Sequence, residues 1–346
     1  MMLRFECDYT EGCIPEILDA IAKENHTQLC GYSEDPICHR ARQKIRALCG
    51  GEDVDVHFLV GGTQTNATVI AATLRPHQGV LSAVQGHISC HETGAIEASG
   101  HKVIALPTDT GRLTAAQIDT YCAAHWADAT HEHIVQPAMV YLSHPAENGT
   151  LYTKKDLEDI RRVCDKWELV LYVDGARLGY GLAAEGNDVT IADLAKLTDV
   201  FYIGGTKVGA LMGEAVVIRN AALKKDFRDM IKHQGGMLAK GWLLGIQFDV
   251  LFEDDRYLDI SKKAVAQAMR IKKAFEEKGC SFLIESRTNQ QFPILHRDIL
   301  KKFDEHYTYS VWEQVDEDHT AVRFCTSWAT TEDQVDLLVA DIAGYL

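Results

Sequence analysis

Short apolar runs recur through the first two thirds of the chain, at residues 56–60, 80–83, 103–106, 138–142, 169–173, 200–203 and 215–218. Each has the length and composition of a buried strand, and helical segments lie between them. One such segment opens at Thr153, where the threonine caps, Asp156 places charge in the first turn, and Leu157, Ile160 and Val163 follow at helical spacing. The alternation predicts an α/β domain with a seven-stranded, mostly parallel sheet between two layers of helices. Ligands of such sheets collect at the carboxyl ends of the strands. Beyond Lys232 the pattern changes to two long helical stretches, 237–252 and 257–278. Short strand candidates follow at 281–284, 292–295 and 322–325, then a last helix from about Thr331. This tail predicts a smaller α+β domain, giving an N-terminal segment 1–35, a large domain 36–254 and a small domain 255–346.

Composition narrows the class of function. The 346 residues contain no linker-like or low-complexity tract and no internal repeat. Lys and Arg number 35 against 50 Asp and Glu, a formal charge of −15. No basic stripe is available to follow a phosphate backbone, which argues against a nucleic-acid partner. No apolar run approaches the ~20 residues that span a bilayer, and the acidic start at Glu6 and Asp8 lacks a signal-peptide core. A cytosolic location without a membrane partner is the expectation. The ten cysteines, from Cys7 to Cys325, never occur as C-x-x-C, so zinc-ribbon and redox-pair readings fail.

Two positions carry the strongest chemical signal. Lys207 lies in Gly204-Gly205-Thr206-Lys207, just after one apolar run, and Asp174 ends another in Asp174-Gly175-Ala176-Arg177. A lysine among glycines approaches a flat ligand closely, and an aspartate at a strand end meets a cationic ring nitrogen; pyridoxal phosphate requires both. Gly61-Gly62-Thr63 joins the first strong strand to a helix beginning near Gln64, and its free amides and hydroxyl form a phosphate cradle. The cradle has neither Walker A spacing nor a G-x-G-x-x-G fingerprint, which argues against a nucleotide. His87 suits a stacking role on a pyridine ring, His91 a structural one, and no third ligand completes a metal site. Arg177 is placed for either the coenzyme's phenolic oxygen or a substrate carboxylate. Arg323, in an otherwise apolar strand, calls for a carboxylate ligand.

Together these residues resemble the threonine aldolase family of fold type I pyridoxal phosphate enzymes, within the wider group of beta-eliminating lyases. The likeness runs from Phe5 to Asp8 through Gly31 to Pro36, Gly62 to Asn66, His87, Asp174 to Arg177, Gly205 to Lys207 and Arg323 to Trp328. It implies Lys207 as the Schiff-base lysine, Asp174 as partner of the ring nitrogen and His87 as the stacking residue. Gly62, Thr63 and Thr206 would hold phosphate, and Arg177 and Arg323 the substrate carboxylate or coenzyme oxygen. The chain departs from the pattern in three places. Cys7 stands where many members have a carboxylate-binding serine, and Glu147 where many bacterial members have a histidine before Asn-Gly. The basic residue reaching a neighbour's phosphate aligns with Lys232 or, alternatively, Lys240.

The resemblance implies aldol cleavage of threonine or allo-threonine to glycine and acetaldehyde. The base for the β-hydroxyl is His87 by first choice, with Glu92, Glu147 and an ordered water left open. Transamination, β-elimination and a non-catalytic scaffold are the competing outcomes. The resemblance also implies a site completed between subunits, with the N-terminal segment packing on the large domain and a dimer partner. Tyr32 and Lys232 would then reach a neighbour's site, in a dimer that pairs into a homotetramer.

Overall fold

A computed structural model describes residues 2–51 and 53–346. The seven runs form one sheet: β1 Asp55–Leu59, β2 Gln78–Ala83, β3 Lys102–Leu106, β4 Gln136–Ser143, β5 Val170–Asp174, β6 Val200–Gly204 and β7 Glu214–Ile218. Their order is β1-β7-β6-β5-β4-β2-β3. Only β7 runs against its neighbours, β1 and β6. The carboxyl ends of β1, β4, β5 and β6 therefore share one edge with the amino end of β7.

Alternation along the strands separates two cores. Leu171 and Val173 face one helical layer with Val140, Phe201 and Val217. Tyr172 faces the other with Tyr141, Tyr202 and Val216. Asp174 lies two residues beyond Tyr172 and takes the tyrosine face. Four helices begin with a threonine capping box, at Thr114, Thr153, Thr190 and Thr331. The Gly62–Thr73 helix, which follows β1, starts at Gly61 with no side-chain cap. Its first amides are left for another acceptor.

The tail builds a third core around Phe275, Phe303 and Phe324. Its small antiparallel sheet contains β8 Gln290–Gln291, β9 Ile294–His296, β10 Ser310–Gln314 and β11 His319–Cys325. The strand expected at 292–295 is split at Pro293, which has no amide hydrogen for the ladder. The one expected at 281–284 reduces to a single bridge, Phe282 to Pro293. β10 gave no apolar signal because its solvent side is open: Val311 is 72% exposed. The start of the chain belongs here too, for Leu3–Arg4 pairs in parallel with Tyr307–Thr308 and Phe5 enters the phenylalanine core. That docking carries Asp8 to the main sheet's functional edge. No helix of the described residues is long and apolar enough to cross a membrane.

Candidate active site

The edge of the sheet opens into a cavity of about 740 Å³. Two glycine turns form its floor. Gly204 N–H donates to Gly175 O at 2.9 Å, joining the turns after β6 and β5. A Cβ on Gly175 would lie 2.0 Å from Tyr202 O, and one on Gly204 2.3 Å from Ala176 O. Only glycine permits this approach, which brings Lys207 and Asp174 into one cavity wall. Tyr180 OH donates to Lys207 O at 2.6 Å and anchors the lysine's backbone. Burial first, then the Arg177 charge, lowers the Lys207 pKa against the pull of Asp8 and Asp174, favouring a neutral amine nucleophile.

Asp174 accepts four hydrogen bonds. Tyr141 OH and Asn66 Nδ2 donate to Oδ2 at 2.6 and 3.1 Å, Tyr202 OH and Ala176 N–H to Oδ1 at 2.5 and 2.9 Å. The tyrosines come from the two flanking strands, Tyr141 on β4 opposite Tyr172 and Tyr202 on β6 two residues beyond the partner of Tyr172. Their pKa values are driven far up, by burial first and then by the Asp174 charge. Asn66 also donates to Glu92 Oε1 at 2.7 Å, and that oxygen meets His87 Nδ1 at 2.8 Å. Because a carboxylate only accepts, the proton of neutral His87 is assigned to Nδ1, which leaves Nε2 as its acceptor. His91 is exposed in the same wall, its ring 5.6 Å from that of His87. No cluster of metal-ligating side chains occurs among the described residues.

Both expected arginines line the cavity. Arg177 is held by Asp8, Nε to Oδ2 at 2.6 Å and Nη2 to Oδ1 at 3.0 Å. Arg323 donates to Gln290 Oε1 at 3.1 Å, to Glu6 O at 2.7 Å and to Ser310 Oγ at 3.1 Å, and its guanidinium lies 5.5 Å from the Trp312 ring centroid. None of these partners is a carboxylate, so the Arg323 charge remains available to an anion.

Gly62 and Thr63 border the cavity at the uncapped helix start. Thr206 borders it too, but its N–H donates to Gly213 O at 3.1 Å and its hydroxyl to Glu214 Oε1 at 2.8 Å. Its donors are already engaged in the turn. Glu214, which pairs with Gly204 across β6 and β7, is buried in the wall, and burial pushes its carboxyl up to about 8. Cys7, Tyr32, Lys232 and Lys240 lie outside the wall. Cys7 is half-buried beside Asp8. Lys232 is exposed with Nζ 5.0 Å from the Tyr32 ring centroid, and Lys240 is exposed as well. Asp8, Asn66, Glu214 and Trp312 are parts of the site that sequence reasoning did not single out. Asp8 and Asn66 lay within the family-like motifs of the sequence, but Glu214 and Trp312 depend on strand register and long-range packing.

The comparisons with known proteins fit this geometry. A family model for beta-eliminating lyases matches residues 8–297. The chain belongs to the beta-eliminating lyase family. It is similar to a low specificity L-threonine aldolase of Pseudomonas aeruginosa, with 28% identity over 98% of this chain and 96% of the relative. The solved structure of Leishmania major threonine aldolase superposes with a TM-score of 0.96, at 42% identity and 99% coverage of both chains. A Thermus thermophilus aspartate aminotransferase, 13% identical over 100% of this chain and 92% of its own, shares the fold alone at a TM-score of 0.70. The beta-eliminating lyase and threonine aldolase family depends on pyridoxal phosphate. The residues here fit that group: an uncapped helix start for phosphate, a half-buried lysine of lowered pKa, and a tethered carboxylate.

Proposed function

We propose that this family member cleaves L-threonine and L-allo-threonine, and other β-hydroxy amino acids of similar size, to glycine and an aldehyde. The observation that supports this reading most is the meeting of Lys207, Asp174, His87 and the uncompensated Arg323 in one cavity. Bound pyridoxal phosphate supplies the electron withdrawal at Cα that makes its Cα–Cβ bond breakable. Lys207 would carry the coenzyme covalently, and Asp174 would face its ring nitrogen. The Gly62 and Thr63 amides would hold its phosphate, with Thr206 shaping the adjoining turn through Glu214 rather than donating directly. His87 would cover the ring face, its orientation fixed by Glu92. Arg323 would bind the substrate carboxylate, and Arg177, oriented by Asp8, would share it or hold the coenzyme oxygen.

Cys7 adjoins the carboxylate site by sequence, and we place it as a peripheral substrate contact. Tyr32 and Lys232 would act in a neighbouring subunit's site, with a homotetramer built from two dimers as the assembly and the cytosol as the location. Incubation with coenzyme and L-threonine should yield glycine and acetaldehyde, and Lys207→Ala should lose the visible coenzyme band with turnover reduced by orders of magnitude. Formation of pyruvate, a keto acid or ammonia in place of the aldehyde would favour elimination or transamination and overturn the reading.

A further inference from the structure

Glu147, one of the bases for the β-hydroxyl left open by the sequence, is an acid in the cavity wall. It lies in the turn after β4, closed by Gly149 N–H donating to Ala146 O at 2.8 Å. Its Oε1 accepts the His87 backbone N–H at 2.9 Å and the Ser143 hydroxyl at 2.6 Å. Two donors on one oxygen fix the side chain's rotation. Oε2 takes no hydrogen bond from another described residue, yet it is not sealed from solvent as Glu92 Oε2 is. One carboxylate oxygen is therefore tethered while the other takes no hydrogen bond from another described residue, on a side chain that lines the cavity.

A single residue ties this acceptor to the carboxylate anchor. Gln290, fully buried, donates Nε2 to Glu147 O at 3.3 Å and accepts Arg323 Nη1 on Oε1 at 3.1 Å. The bridge links the β4 turn of the large sheet to β11 of the small one. A β-hydroxy amino acid has a carboxylate and a hydroxyl proton, and the two ends of the bridge offer a guanidinium and a bare carboxylate oxygen. Burial, reinforced by the Asp174 charge, raises the Glu147 pKa against the Ser143 hydrogen bond and makes it a stronger base than a surface carboxylate. Glu92 is enclosed with Oε1 already shared by Asn66 and His87, which removes it as a direct acceptor.

We propose that Glu147 is a catalytic residue whose Oε2 receives the β-hydroxyl proton as the Cα–Cβ bond breaks; this rests on the aldol-cleavage reading above. The O–H pair becomes the second bond of the aldehyde C=O. The Cα–Cβ pair stays on Cα, which takes up one proton before glycine leaves, so the step balances without redox. In reverse, Glu147 returns its proton to the new hydroxyl.

The test is Glu147→Gln in the holoenzyme, which retains an oxygen for the two donors at Oε1 but cannot accept a proton. Cleavage of L-threonine should fall at least a hundredfold. Coenzyme absorbance, glycine affinity and Cα proton exchange of glycine in D2O, none of which involves a hydroxyl, should stay within about fivefold. Cleavage reduced less than tenfold, or cleavage and exchange falling together, overturns the proposal. A second measurement needs no variant: the acidic limb of the wild-type cleavage profile should barely move with temperature, as a carboxyl's does, and an imidazole-like temperature dependence overturns it. A wild-type protein that forms no aldehyde instead removes the aldolase reading itself.

Discussion

Asp8 grips Arg177 through two hydrogen bonds, at 2.6 and 3.0 Å, and Asn289 Nδ2 steadies the same carboxylate at 2.9 Å. Burial raises the Asp8 pKa, but the charges of Arg177 and Lys207 outweigh it and bring it down to about 2. The pair spans 169 residues of sequence and ties the docked N-terminal segment to the end of β5. Asp8→Asn keeps the shape but loses the charge on one side of a buried pair. A charged hydrogen bond is worth about 1.5 to 3 kcal/mol, so kcat/KM for threonine should fall by roughly 10 to 100-fold. The coenzyme band should persist. Unchanged kcat/KM in Asp8→Asn would show that Arg177 needs no orienting partner.

Glu92 sets the tautomer of His87 from beneath. Glu92→Leu removes the acceptor of Nδ1–H and of one Asn66 amide hydrogen, while Glu92→Gln retains an oxygen for both. We expect turnover to drop by about 10 to 100-fold in the leucine variant, the scale of one or two charged hydrogen bonds, and by less in the glutamine variant. Nitrogen-15 shifts of His87 should report Nδ1–H in wild type and Glu92→Gln, and a mixture in Glu92→Leu. Equal activity in all three proteins would reduce Glu92 to a packing residue.

The seven strands, the capped helix start at Thr153 and the Asp174 and Lys207 turns were legible because each depends on local pattern: apolar runs, a threonine cap, glycines beside a polar residue. The expected strand at 281–284 failed, and β10 was missed, for the complementary reason. Val311 and Glu313 on β10 are exposed, so the strand is held by its ladder to β11 rather than by an apolar face of its own. Glu214 was invisible because its role arises only when β7 turns back beside β6 and sets it opposite Gly204. Asn66 appeared in a quoted motif, but its position between Asp174 and Glu92 requires three distant segments to converge.

Two buried groups give stability opposite pH dependences. Burial lowers the His144 pKa from 6.5 to about 4, and neither ring nitrogen has a partner among the described residues. The unfolded chain binds the extra proton between these values, so stability is full above about 6.5 and is lost as pH falls toward 4, by on the order of 3 kcal/mol. Glu214 acts in the other direction. Its carboxyl rises from 4.5 to about 8, the folded state binds the extra proton, and stability is lost as pH climbs through that window. The two slopes oppose each other between about 4.5 and 6.5, so the thermal unfolding midpoint in that window should fall more steeply with rising pH in His144→Leu and rise in Glu214→Gln, which also flattens the loss between about 6.5 and 8. An unchanged slope in that window in His144→Leu would assign the acid loss to other groups.

Tyr32 and Ser33 adopt left-handed backbone angles in succession, φ 61° and 63°. Neither is glycine, and such conformations cost about 1 to 3 kcal/mol each unless their surroundings impose them. Arg228 holds the turn through Tyr32 O at 3.2 Å, and the exposed Tyr32 ring lies 5.0 Å from Lys232 Nζ. The turn is also held by Tyr32 N–H donating to Ala239 O at 3.1 Å, but neither the exposed tyrosine nor the exposed lysine enters this chain's own cavity. We therefore expect both to complete a neighbour's site. Lys232→Ala should weaken coenzyme retention by about tenfold, equivalent to roughly 1.4 kcal/mol, while sedimentation still shows an associated protein. Dilution of the wild type should release pyridoxal phosphate in step with dissociation. A subunit that sediments alone with full coenzyme and full aldehyde production would show that each chain builds its site unaided.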